Sequence, residues 1–256
     1  MSGGNQDHPA SHLLHLARMP SVWCAGCGIG IVVNTFIQTV HKLNLDPSEL
    51  FVFSSQLGCT GKIAEYLKFK QPPSKERNLF FSALRFKQKR PESRVVIFFN
   101  ENDLVVSGID DFLFLCERGK GVLAVFINSF LHHLFLEHRE LECFPLGKKV
   151  LEKESQFLFN LPGEVEKCGA SLVARWTPLH CRRLMFSMKK SFSKHGFSFI
   201  EVISPCLMYH ASERGLGKKL HRMDDFLKNS AIMDGKSKDN LDTRENQIIL
   251  GNFVDN

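Results

Sequence analysis

Five apolar, β-rich runs constrain this chain more than any other feature. They are Leu50-Phe51-Val52-Phe53, Arg94-Val95-Val96-Ile97-Phe98-Phe99, Gly121-Val122-Leu123-Ala124-Val125-Phe126-Ile127, Ser171-Leu172-Val173-Ala174-Arg175-Trp176 and Phe197-Ser198-Phe199-Ile200-Glu201-Val202-Ile203. Most are continuously apolar rather than alternating, the pattern of strands covered on both faces, as in a parallel sheet. Segments with helical spacing separate them: Gly28 to Leu43, Arg77 to Lys89, Ser107 to Glu117, Gly163 to Cys168 and His180 to Lys194. Strand–helix alternation predicts an α/β fold with a doubly wound, mostly parallel sheet and right-handed crossovers. The even spacing of the runs predicts one domain over 14–210, a short tail over 1–13 and an extension over 211–256. The extension is polar and lysine-rich after about residue 229, and is expected to pack on something else or to be partly mobile. Residues 131–160 are the least regular interior stretch and read as a long loop. No internal repeat is visible.

Composition removes several classes. Hydrophobic residues are 43% and charged residues 23% of the 256, which excludes disorder, collagen-like repeats and coiled coil as the main description. No apolar run reaches the roughly 18 residues of a membrane span. Met1 to Pro20 lacks a basic start followed by an apolar core, so no secretory signal is read there and a cytoplasmic location is expected. The net charge of +6 suits a phosphate-bearing ligand or an acidic protein partner. No basic stripe interleaved with aromatics points to nucleic acid. The bias of 23 Phe against 2 Tyr has no explanation at this level.

Ligands of open parallel sheets collect at the carboxyl ends of the strands. Those ends carry Ser54-Ser55-Gln56-Leu57-Gly58-Cys59-Thr60-Gly61, Asn100-Glu101-Asn102-Asp103, Asn128-Ser129 and Ser204-Pro205-Cys206. Two of these four ends bear a cysteine. A separate pair of cysteines, in Cys24-Ala25-Gly26-Cys27-Gly28, immediately precedes a helix, whose N-terminus favours negative charge such as thiolate. A thioredoxin-like redox pair needs a strand before it, and Ser21-Val22-Trp23 is a poor one. Cys24, Cys27, Cys59 and Cys206 can therefore converge at one edge of the sheet, where four thiolates suit zinc or an iron–sulfur cluster. Cys116, Cys143, Cys168 and Cys181 lie in helix-like or irregular contexts and read as structural.

These residues carry a resemblance. From about residue 14 to 208 the chain resembles the β subunit of 2-oxoacid:ferredoxin oxidoreductases, which binds thiamine diphosphate and a 4Fe–4S cluster. Arg18 to Gly28 resembles the family's segment around Trp-Cys-Pro-Gly-Cys-Gly. Leu57-Gly58-Cys59-Thr60-Gly61-Lys62 resembles its Gly-Cys-Ser-Gly segment, and Gly196 to Cys206 its final strand with Ser-Pro-Cys. The resemblance implies the thiamine diphosphate-binding fold, with Cys24, Cys27, Cys59 and Cys206 as cluster ligands. It implies Glu101, Asn128 and the carbonyl of Phe130 as Mg²⁺ ligands, and Gly58, Thr60, Asn102 and Asp103 at the thiamine diphosphate. No catalytic residue is assigned, because the family's activating carboxylate comes from the α subunit. The implied partners are an α-type subunit, further subunits, and ferredoxin or another electron acceptor.

The chain departs from the family pattern in one region. The family's Gly-Asp-Gly-Asp is here Asn100-Glu101-Asn102-Asp103. Mg²⁺ demands near-octahedral geometry at about 2.0–2.1 Å, so one extra methylene matters. The Thr-Gly-Gly of the second Mg²⁺ segment is replaced by Leu134-Phe135-Leu136, the His-Gly-Arg by Glu76-Arg77-Asn78, and Asp110-Asp111 stand where the family has Asn-His. His132, His133, Glu137 and His138 read as surface residues of an apolar loop rather than a metal site. Two readings follow. In the first, the subunit carries electrons by its cluster from thiamine diphosphate-dependent oxidative decarboxylation of a 2-oxoacid. In the alternative, it keeps the cluster, has lost thiamine diphosphate, and serves as relay or scaffold. A zinc-stapled binding protein is a third.

Overall fold

The computed structural model describes residues 9–55, 57–71, 78–129, 160–206, 228–235 and 248–256. The five apolar runs form strands β1 (Leu50–Ser54), β2 (Arg94–Phe99), β3 (Val122–Asn128), β4 (Leu172–Trp176) and β5 (Ser198–Ile203). They pair in parallel in the order β1-β2-β3-β5-β4. The α/β class with a mostly parallel sheet is thus as expected.

Burial on both faces explains the continuous apolar runs. Val96 and Phe98 of β2 enter one core, while Val95, Ile97 and Phe99 enter the other. The first core is closed by α1 (Gly28–Lys42). The second is closed by α3 (Leu79–Lys89), α4 (Glu101–Ser107), α5 (Ile109–Arg118) and α6 (Leu161–Lys167); one-turn α2 (Ile63–Tyr66) and α7 (Cys181–Ser191) pack with α1. The second core also accounts for the phenylalanine bias. Phe80, Phe99, Phe112, Phe126 and Phe199 form a chain of ring contacts with centroids 5.1–6.4 Å apart. All are fully buried, where a tyrosine hydroxyl would require a partner.

Two features differ from expectation. The helix expected over Ser107 to Glu117 is α5, but another precedes it: Asn100 to Asp103, read as a strand-end cluster, is the cap and first turn of α4, which ends at Gly108. Part of the expected C-terminal extension belongs to the sheet. Strand β7 (Ile248–Asp255) lies antiparallel on β4, and β6 (Ser230–Ile232) pairs in parallel with β7. Its apolar positions supply the reason. Ile248, Leu250 and Phe253 are buried, while Lys190 and Lys194 pair with Asp255 at the strand's end. Among the described residues, no helix is long and apolar enough to cross a membrane.

Candidate functional site

The cysteine turns are held together by contacts between distant segments. Cys27 N–H donates to the Cys24 carbonyl at 2.9 Å, and Gly26 has φ +81°. Trp23 leads into this turn. Its Nε1 donates to the Cys59 carbonyl at 3.0 Å, and its ring lies 4.9 Å from that of Tyr66. The Tyr66 hydroxyl accepts from Val22 N–H at 2.8 Å. Cys59 sits in a tight turn after β1, next to Gly58 at φ +62°, where a side chain would be strained. Cys206 is placed by backbone bonds that prolong the β3–β5 pairing: Ser204 N–H to the Asn128 carbonyl, 2.8 Å, and Cys206 N–H to the Ser129 carbonyl, 3.1 Å.

Gly28 closes the arrangement. A Cβ built there would lie 2.2 Å from Ser204 Oγ and 2.6 Å from Pro178 Cγ. The start of α1 therefore packs directly on the segment carrying Cys206. Cys27 occupies the N-cap of α1 in place of an oxygen-bearing side chain.

The thiols also sense one another. Burial pushes the Cys27 thiol up, a bond from the Ile29 backbone opposes this, and Cys59, Cys206 and Cys24 push it further up. Burial raises Cys59, with Cys206 and Cys24 adding to it. Cys24 and Cys59 are exposed, and Cys27 and Cys206 are half-buried. Among the described residues, no three Cys, His, Asp or Glu side chains form a group that could hold a metal ion.

The neighbouring strand ends are joined by side chains. Asn100 caps α4, its Oδ1 accepting from Asn102 N–H, while Asp103 accepts from Asn100 N–H. Asn100 Nδ2 donates to Thr60 Oγ1 at 3.1 Å and to the Leu57 carbonyl at 3.4 Å. Glu101 Oε1 accepts from Ser129 N–H at 2.5 Å and from its hydroxyl at 2.9 Å; Oε2 lies 3.0 Å from the same hydroxyl. Asn128 Nδ2 donates to Glu201 Oε1 at 2.7 Å, and Arg175 Nε donates to Glu201 Oε2 at 2.6 Å. All these carboxylates and amides are buried except Asn102. Burial raises Asp103 to about 6 despite the bonds it accepts.

Thus Gly58, Thr60, Glu101, Asn102, Asp103 and Asn128 all lie at the carboxyl ends of β1, β2 and β3. Phe130, the histidine-bearing loop and Glu76-Arg77 lie outside the described residues. Sequence reasoning missed Ser129 as a partner of Glu101, and the Arg175–Glu201 pair. The latter left a signal: one basic and one acidic residue interrupt two successive apolar runs, and they are register partners in β4 and β5.

A scan against protein-family models finds no match. The chain is 31% identical over 252 residues to the 2-oxoglutarate synthase subunit KorB of Methanocaldococcus jannaschii, covering 97% of this chain and 92% of that protein. It is 32% identical over 198 residues to the KorB subunit of Archaeoglobus fulgidus, covering 75% and 72%. It is 21% identical over 194 residues to the β subunit of 2-oxoacid:ferredoxin oxidoreductase 2 of Aeropyrum pernix, covering 73% and 61%. Its fold is similar to a solved 2-oxoglutarate:ferredoxin oxidoreductase from Magnetococcus marinus. The TM-score is 0.71 at 13% identity, covering 98% of this chain and 86% of that one. The chain belongs to the β-subunit family of the 2-oxoacid:ferredoxin oxidoreductases.

Proposed function

We propose that this chain is the cluster-bearing subunit of a 2-oxoacid:ferredoxin oxidoreductase-like complex, with Cys24, Cys27, Cys59 and Cys206 holding a 4Fe–4S cluster. One observation carries the reading: Trp23 ties the Cys24–Cys27 turn to Cys59, and Gly28 packs on Ser204 of the Cys206 segment, so three segments far apart in sequence bring their cysteines to one end of the sheet. The donor set suits the group, because four thiolates are the ordinary ligands of such a cluster. A four-iron cluster is bulkier than a single ion, so its thiolates stand farther apart than the four ligands of one zinc. When bound, the cluster supplies one-electron transfer.

The chain's own residues do the rest. Trp23 ties the Cys24–Cys27 turn to Cys59. The Ile29 N–H in the first turn of α1 bonds Cys27 and opposes the burial that pushes its thiol up. Gly28 permits the close approach of Cys206's segment. Leu16, Met19 and Val22 are exposed apolar side chains leading into the turn, suited to cover by an α-type subunit. Electrons would leave to ferredoxin or another acceptor, in the reducing cytoplasm. The substrate class of the complex is a 2-oxoacid, as in the names of its relatives.

The test is anaerobic purification with native partners, followed by iron, sulfide and zinc determination. About four irons per chain are expected, falling to background in Cys59→Ser. Stoichiometric zinc with no iron, or iron unchanged in Cys59→Ser, would overturn the assignment.

A further inference from the structure

The thiamine diphosphate–Mg²⁺ group implied by the family has to be met by the ends of β1, β2 and β3. Those ends are bridged by the protein itself. Asn100 joins the end of β2 to the Leu57–Thr60 turn after β1. Glu101 joins the end of β2 to Ser129 after β3. Asn128 joins β3 to Glu201 of β5, which Arg175 of β4 neutralises. The Mg²⁺ implied by the family would draw on two of the residues engaged here, Glu101 and Asn128.

Asn100 stands where the family has a glycine, and a glycine could not form the bridge to Thr60. Glu101, which stands where the family has Asp, directs its carboxylate onto the backbone N–H and hydroxyl of Ser129. The nearby cavity of about 560 Å³ offers no remedy. Its charged lining residues are Lys62, Glu65 and Asp103, and Lys62 is already paired with Glu65 at 2.9 Å. Such a lining does not attract a diphosphate.

We infer that hydrogen bonds from Asn100, Glu101 and Asn128 have replaced the metal–diphosphate as the bridge between these strand ends, and that the chain does not bind Mg²⁺–thiamine diphosphate. Within the proposed complex, the chain is a relay without a reaction centre of its own.

The experiment uses the full chain with its native partners, purified anaerobically. Thiamine diphosphate binding is measured by calorimetry with Mg²⁺ and with Mg²⁺ withheld, and Tm is followed with the same additions. The expected result is no saturable heat and no Tm shift in the unmodified protein. Saturable, Mg²⁺-dependent binding to this chain overturns the inference. Ser129→Ala tests the bridge directly. It should lower Tm, and Mg²⁺ with thiamine diphosphate should not restore it; an unchanged Tm, or restoration by the cofactor, counts against the replacement. Iron content and visible absorption on the same samples report the cluster independently, so failure of that assignment remains distinguishable.

Discussion

The junction between α1 and the Cys206 segment can be tested with one methyl group. In Gly28→Ala, the new Cβ would sit 2.2 Å from Ser204 Oγ, 3.1 Å from Ser204 Cβ and 2.6 Å from Pro178 Cγ. Ordinary contact starts at 3.4 Å, so one side must retreat by about 1 Å. Rotation of the serine hydroxyl relieves the shortest contact, but the proline ring has no rotamer to escape into. Overpacking of this kind costs about 1–3 kcal/mol. Gly30→Ala is the control, since its nearest neighbour would be Trp23 Cε3 at 3.8 Å. There the gain in helix propensity should stabilise by about 0.5–1 kcal/mol. The two variants should therefore differ by about 1.5–4 kcal/mol in urea denaturation, with Gly28→Ala the less stable. The displacement moves Ser204-Pro205-Cys206 away from Cys24 and Cys27, so Gly28→Ala should also lose iron during anaerobic purification while Gly30→Ala keeps it. Equal stability and equal iron content would refute the idea that this contact sets the spacing of the cysteines.

Glu201→Gln leaves Arg175 buried, at 3% side-chain exposure, without its counter-charge. A loss of about 3–5 kcal/mol is expected by chemical denaturation, whereas replacing both partners with apolar residues should cost much less; similar losses in the two variants would argue against an ion pair. Asp103 is held at about 6 against an ordinary 3.8. As pH rises from 3.8 to 6 the unfolded chain ionises before the folded one, so stability falls, and a penalty of about 3 kcal/mol persists above that window. The stability of the unmodified protein relative to Asp103→Asn should decline across this range; a flat or rising difference contradicts the buried carboxyl. Leu250→Ala removes a fully buried side chain from β7 and should destabilise by about 2–5 kcal/mol. No effect on the denaturation midpoint would mean that β7 is not an integral part of the sheet.

Much of the fold was legible because burial on both faces leaves a local mark. An unbroken apolar run such as Val95-Val96-Ile97-Phe98-Phe99 has few other stable placements than the interior of a parallel sheet, and it is β2. The cysteine turns were legible for a similar reason, since Cys-Ala-Gly-Cys-Gly before a helical pattern and Gly-Cys-Thr after a strand are local signatures. Strand β7 was harder to see. Its apolar residues are interrupted by Gly251 and Asn252 and follow a long polar stretch, so composition masked the alternation that β4 covers.

The amino-acid sequence by itself determined the five parallel strands, the helices between them and the side-chain types at the strand ends. Tertiary structure alone decided that β5 lies between β3 and β4, that Arg175 faces Glu201, and that Trp23 reaches Cys59. It also decided that Asn100 and Glu101 turn toward Thr60 and Ser129. The physical reason is range. Periodicity reports how each residue is buried and is written into neighbouring positions, but a hydrogen bond between residues tens of positions apart depends on strand order and register, which no local stretch specifies.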